Sequence, residues 1–89
     1  MIAKKCFFEG RVQGVGFRFS AKELAAGFDV TGYVRNLIDG RVELEVQGEE
    51  SEVDAFLEAL RESHLRAHIS RRTVQPAEVI PGRKGFSIR

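Results

Sequence analysis

Between an apolar run that reads as a strand (Cys6, Phe7, Phe8) and a segment of helical periodicity lies Gly10-Arg11-Val12-Gln13-Gly14-Val15-Gly16-Phe17-Arg18. A strand that breaks at three glycines and re-enters as a helix leaves backbone N–H groups pointing into the gap. The first N–H groups of a helix have no partner within it, and the helix dipole adds partial positive charge there. Together they form a cradle for an anion. Arg18 follows at once and offers a planar fork of donors to the same anion. The expected site is therefore a phosphate-sized loop made by Gln13, Gly14, Val15, Gly16, Phe17 and Arg18. Spacing alone also allows plain turn glycines and a solvated arginine. A dinucleotide fingerprint is excluded, because its third glycine would fall where this chain has Phe19, and a Walker-type Gly-Lys-Ser/Thr is absent.

The rest of the chain supplies the frame. Lys4 to Arg11 reads as a first strand, with Cys6, Phe8 and Gly10 on one face. Phe17, Ala21, Leu24, Ala25 and Phe28 make one stripe of a helix expected over residues 17–27. Val30 to Ile38 and Arg41 to Gln47 read as two further strands. In the third, Val42, Leu44 and Val46 alternate with Glu43 and Glu45, which predicts one wet face. A two-residue turn at Asp39-Gly40 would put Arg35 opposite Leu44, so a bulge or longer loop is needed between Asn36 and Gly40. Val53, Phe56, Leu57 and Leu60 define a second helix over 50–63. A weaker strand is expected at 69–74, a loop at 76–84 and a short strand at 86–88.

Strand, helix, strand, strand, helix, strand is the split βαβ order of ferredoxin-like α+β sandwiches. It predicts an antiparallel sheet covered on one face by two helices. The helical crossover makes strands one and two parallel, and strand three fills the space between them. The carboxyl ends of strands one and two then share one edge of the sheet. The Gln13–Arg18 loop and Asn36, at those ends, should converge.

The glycine loop, with Asn36 eighteen positions after Arg18 inside Gly32-Tyr33-Val34-Arg35-Asn36, resembles the acylphosphatase family. Asp39-Gly40-Arg41-Val42-Glu43 and the closing Gly85-Phe86-Ser87-Ile88-Arg89 fit as well. The likeness runs from about Cys6 onward and thins between Ser63 and Lys84. It implies hydrolysis of acyl phosphates to a carboxylate and inorganic phosphate, with no cofactor and no metal. In the family, the arginine matching Arg18 binds the phosphoryl group with the loop amides, and the asparagine matching Asn36 positions the attacking water. Two departures stand out. Phe28-Asp29-Val30 replaces the family's Leu-Gly-Leu, which predicts a left-handed turn at Asp29 formed at small cost. Leu65-Arg66-Ala67-His68 stands where a Gly-Pro turn is usual.

The chemistry of the residues agrees with that reading. No Ser-His-Asp set, carboxylate pair or cysteine nucleophile adjoins the loop, so covalent catalysis is not expected. A carboxylate is a good leaving group, and positioning with charge stabilisation suffices. Taken alone, Asn36 reads more readily as a turn residue at φ > 0, and its spacing to Arg18 is what favours the catalytic role. His64 and His68 have i, i+4 spacing but no third ligand, and no metal site is expected there.

Eighty-nine residues, 43% of them hydrophobic and 30% charged, describe one soluble domain spanning 1–89. The lone Cys6 is expected as a buried thiol. No apolar stretch approaches a membrane span and no signal pattern opens the chain, so a cytoplasmic location with no membrane partner is expected. A monomer is expected too, although no feature of the sequence fixes the oligomeric state. Residues 1–60 carry 7 Lys/Arg against 11 Asp/Glu, and residues 61–89 carry 7 against 2. That basic third leaves a rival reading open, a non-catalytic anion- or RNA-binding regulatory module. No aromatic interleaves its arginines for base stacking, and nucleic acid is not the expected partner.

Overall fold

A computed structural model describes residues 1–89. In chain order it has β1 (Ile2–Gly10), α1 (Phe17–Ala25), β2 (Val30–Asn36), β3 (Val42–Gly48), α2 (Glu50–Glu62), a 3-10 helix (His64–His68), β4 (Ile69–Ala77) and β5 (Phe86–Ile88). The sheet order is β4-β1-β3-β2-β5. β3 lies antiparallel between β1 and β2, as the crossover argument requires. The closing strand β5 adds to β2 in parallel, so the sheet is mixed rather than wholly antiparallel.

Both helices deliver the apolar stripes read from their periodicity. Phe17, Ala21 and Ala25 of α1 and Val53, Phe56, Leu57 and Leu60 of α2 are buried. They meet Cys6, Phe8, Val34, Val42, Leu44 and Val46 from the sheet. Phe56 is the hinge of an aromatic row, with ring centroids 6.0 Å from Phe28 and 5.7 Å from Phe86. That row ties α2 to the end of α1 and to the last strand.

Several boundaries move. β1 starts at Ile2, two residues before the expected Lys4. α1 stops at Ala25, where Gly27 and Phe28 donate to Leu24 and Ala25 in a tightened last turn. Asp29 does not adopt a left-handed turn, since no non-glycine residue has positive φ. The chain instead reverses through a Val30 N–H to Phe28 carbonyl bond of 2.9 Å, and the Asp29 N–H donates to Glu52 Oε1 at 2.8 Å. β4 runs past Val74 to Ala77. Pro76, expected to open a loop, is tolerated because β4 is an edge strand. The Ser63–His68 connection is the 3-10 helix. Ser63 Oγ accepts from the Leu65 N–H and donates to the Leu60 carbonyl, while Leu65 is buried.

The β2–β3 connection is the longer loop that parity demanded. Residues 37–41 form it, with the Leu37 N–H donating to the Arg41 carbonyl at 2.8 Å. Val34 then pairs with Leu44 and Gly32 with Val46, so both strands bury their apolar sides together.

The wet face expected of β3 is dry. Glu43, Glu45 and Gln47 are 5%, 7% and 4% exposed. The segment from β4 to β5 crosses this side of the sheet, and Gln47 brackets the Ile80 backbone, accepting its N–H and donating to its carbonyl at 2.9 Å each. Arg83 folds in to pair with Glu45, which Lys5 also approaches at 3.5 Å. Glu43 accepts from Arg35 Nε at 2.6 Å and Tyr33 Oη at 2.9 Å. Acidic residues there are buried because each has partners that satisfy it.

Candidate active site

β1 ends at Gly10, and the Arg11 N–H donates to the His68 carbonyl at 2.9 Å, which anchors the start of the loop. The chain then turns through Gly14 and Gly16, at φ 76° and 78°, a left-handed conformation that glycine alone adopts at no steric cost. Gly16 caps α1 without any side-chain hydrogen bond, and its carbonyl accepts the Ser20 N–H at 3.0 Å. The amides of Gly14 through Phe19 have no backbone acceptor in the chain. Those orphan donors stand at the positive end of the α1 dipole.

At the end of β2, Asn36 pairs with Val42 in extended backbone. This removes the φ > 0 turn reading of that residue. Its Oδ1 is buried without a hydrogen-bond partner. An amide oxygen in that state forgoes about 1–3 kcal/mol of solvation, an arrangement that calls for a ligand or water donor.

A cavity of about 220 Å³ joins the two motifs. Gly14, Gly16, Phe17, Arg18 and Asn36 line it together with Val12, Phe19 and Ile88. Arg18 is exposed, and no carboxylate of the chain lies in salt-bridge contact with it. A cationic fork, unpaired amides and a neutral amide side chain thus face one space. Such a set can hold a phosphoryl group and orient a water without any group that would form a covalent intermediate.

Two of the expected loop residues stand outside that lining. Val15 packs against the core. The Gln13 side chain turns to the β2–β3 loop, donating from Nε2 to the Leu37 carbonyl at 2.7 Å and the Arg41 carbonyl at 3.0 Å. It clasps the loop that follows Asn36 to the glycine loop, and so fixes the distance between the motifs. Sequence reasoning passed over Val12, Phe19 and Ile88 as lining residues. The available signal was Phe19 itself, an aromatic lying off the apolar stripe of α1.

Elsewhere, burial pushes the Cys6 thiol up to about 11, with Arg72 and Lys4 opposing, so the thiol stays protonated at neutral pH. Tyr33 rises to about 12 through burial and its hydrogen bond to Glu43. His64 Nε2 lies 3.3 Å from Ser20 Oγ.

The element order and sheet topology define the class, a ferredoxin-like α+β sandwich, with unpaired loop amides after β1 and an amide side chain at the end of β2 marking its candidate site. The acylphosphatase family model matches residues 4–88. An acylphosphatase of Geobacillus thermodenitrificans is 44% identical over 90% of this chain and 85% of its own length. One of Clostridium beijerinckii is 38% identical over 100% and 99%. The crystal structure of acylphosphatase from Bacillus subtilis superposes with a TM-score of 0.89 at 32% identity, covering 100% of this chain and 99% of that one. The chain belongs to the acylphosphatase family, and its activity is the hydrolysis of acyl phosphates, with inorganic phosphate as a product.

Proposed function

We propose that hydrolysis runs without a metal, with the phosphoryl group held by Arg18 and the Gly14–Arg18 amides and the attacking water positioned by Asn36. The observation that carries this is the convergence of Arg18, Asn36 and the two left-handed glycines on one cavity. The water oxygen forms the new bond to phosphorus. The bond from phosphorus to the bridging oxygen breaks, and its electron pair leaves on the carboxylate. The water proton passes to a phosphate oxygen, so no protein base is needed. Arg18 and the amides supply the positive charge that a metal would otherwise bring to the phosphoryl oxygens. The unpartnered Asn36 Oδ1 supports a role in accepting from water.

The reading extends to a single domain over 1–89 acting as a cytoplasmic monomer on small molecules rather than on nucleic acid. For small molecules rather than nucleic acid, the support lies in the basic third of the chain. There Arg61 pairs with Glu58 and Glu62, Arg71 approaches Glu9 at 3.8 Å, and Arg83 is folded onto Glu45. Three of the seven basic side chains there are thus engaged in ion pairs within the chain.

The test separates the two side chains. Arg18→Ala should abolish turnover of benzoyl phosphate and weaken inhibition by phosphate. Asn36→Ala should cut turnover by about 10²-fold or more while phosphate inhibition holds, the scale for losing one oriented polar group. Near-normal turnover in both folded variants eliminates the proposed site.

A further inference from the structure

The cradle accounts for the phosphoryl half of the substrate and leaves the acyl half without a partner. Phe19 stands on the first turn of α1 next to Arg18, lines the cavity and is 65% exposed. The chain has eight aromatic residues, and Phe19 differs from all the others in its packing. Phe8 stacks on Phe17 at 4.9 Å, and Phe28, Phe56 and Phe86 form the row described above. Phe7 lies under the Arg41 guanidinium and Tyr33 under that of Arg89. Phe19 has neither a ring nor a cation against it. Ile88 of β5 contributes a second exposed apolar side chain to the same cavity.

In-line displacement sets where the acyl group must go. If water approaches from Asn36, the leaving oxygen departs on the opposite side of phosphorus. With the phosphate oxygens held by the loop and Arg18, the acyl carbon lies on the side of phosphorus away from Asn36. Ile88 pairs with Val34 on the strand beside Asn36, whereas Phe19, on α1, is the exposed apolar side chain of the cavity that stands off both strands. We propose that Phe19 is the surface that receives the acyl group, and that the enzyme favours aromatic or bulky apolar acyl phosphates over acetyl phosphate. This rests on the cradle reading above. An aromatic face offers a large apolar area at low cost in side-chain freedom, and an aromatic acyl group can stack on it offset or edge-on. The contact exists before and during bond breaking, so it acts chiefly on KM rather than kcat.

The experiment measures kcat and KM for benzoyl phosphate and acetyl phosphate in the unaltered protein, Phe19→Ala and Phe19→Leu. Comparing the preference between variants cancels the intrinsic reactivity of the two substrates. The unaltered protein should prefer benzoyl phosphate. Phe19→Ala should reduce that preference by about tenfold, mostly through KM, the low end of what one apolar contact contributes in a pocket. Phe19→Leu should retain part of the preference, and inhibition by inorganic phosphate, which has no acyl group, should move much less than the benzoyl phosphate KM. An unchanged preference in Phe19→Ala, or an equal loss on both substrates, overturns the acyl surface while leaving the cradle standing. Failure of the unaltered protein to turn over either substrate overturns both.

Discussion

At Gly14 and Gly16 backbone conformation, not side-chain space, constrains the residue type. A Cβ built at either position meets nothing within 4 Å, so space does not forbid a substitution. The left-handed φ does. Gly14→Val asks a β-branched residue to hold φ near 76°, which costs on the order of 1–3 kcal/mol, or else lets the loop relax out of its cradle geometry. Urea denaturation should show a stability loss no larger than that, while the inhibition constant for phosphate rises by about tenfold or more as the amides lose convergence. Amide shifts from Gln13 to Phe19 should move on phosphate titration of the unaltered protein. If they stay still while the Arg66–Arg72 region moves, the anion sits elsewhere. These glycines were legible in the sequence because only their residue type supplies that freedom after a strand. The buried oxygen of Asn36 was not, since its lack of a partner depends on strands that meet it from far along the chain. Gln13 was read as one more loop residue for the same reason, its two acceptors lying 24 and 28 positions away.

At the scale of elements, β3 is where local pattern and tertiary context part. Alternating Val, Glu, Leu, Glu and Val reads as one dry and one wet side, and only a crossing segment some thirty residues later dries the second. Nothing within the strand announces that cover, and the 76–84 stretch itself reads as an ordinary loop. The helices were easier, because seven buried side chains at helical spacing state their face without help from elsewhere. The dry acidic side has a pH signature. Burial pushes the Glu43 carboxyl up, but the hydrogen bonds from Arg35 and Tyr33 outweigh it and hold the pKa below the ordinary glutamate value of 4.5. A depressed folded-state pKa contributes stability that is fully present above the unfolded value. It fades as pH falls from there through the folded value. Glu43→Gln removes this titration. The gap in unfolding free energy between the unaltered protein and Glu43→Gln should therefore be widest near pH 6 and narrow toward pH 3. A gap that stays constant or widens on acidification would show that the Arg35–Glu43–Tyr33 cluster does not couple protonation to folding.

For the whole molecule, topology was recoverable from the crossover and hairpin connections and a parity check, and it brought the ends of β1 and β2 together before any side chain was placed. The path of β5 was not, since three residues carry too little pattern to choose between sheet edges. The convergence has a thermodynamic consequence that reaches every element. A ligand that binds only the folded chain stabilises all of it, by RT ln(1 + [L]/Kd). Phosphate at about ten times its dissociation constant should add about 1.4 kcal/mol, which for a domain of this size raises Tm by about 6–11 °C. Phosphate also stabilises proteins generally by exclusion from their surfaces, so the raw shift proves little. The informative quantity is the difference between the unaltered protein and Arg18→Ala in the same buffers. Most of the shift should vanish in Arg18→Ala, because its specific part requires the guanidinium, while the exclusion effect persists in both. The same melts after exhaustive chelation should retain the shift, and benzoyl phosphate turnover should survive with it, since in the proposed mechanism Arg18 and the loop amides provide the positive charge. Loss of both on chelation, with recovery on added zinc or magnesium, would refute the metal-free mechanism. An equal shift with and without Arg18 would move phosphate binding away from the cavity that joins Gly14, Arg18 and Asn36.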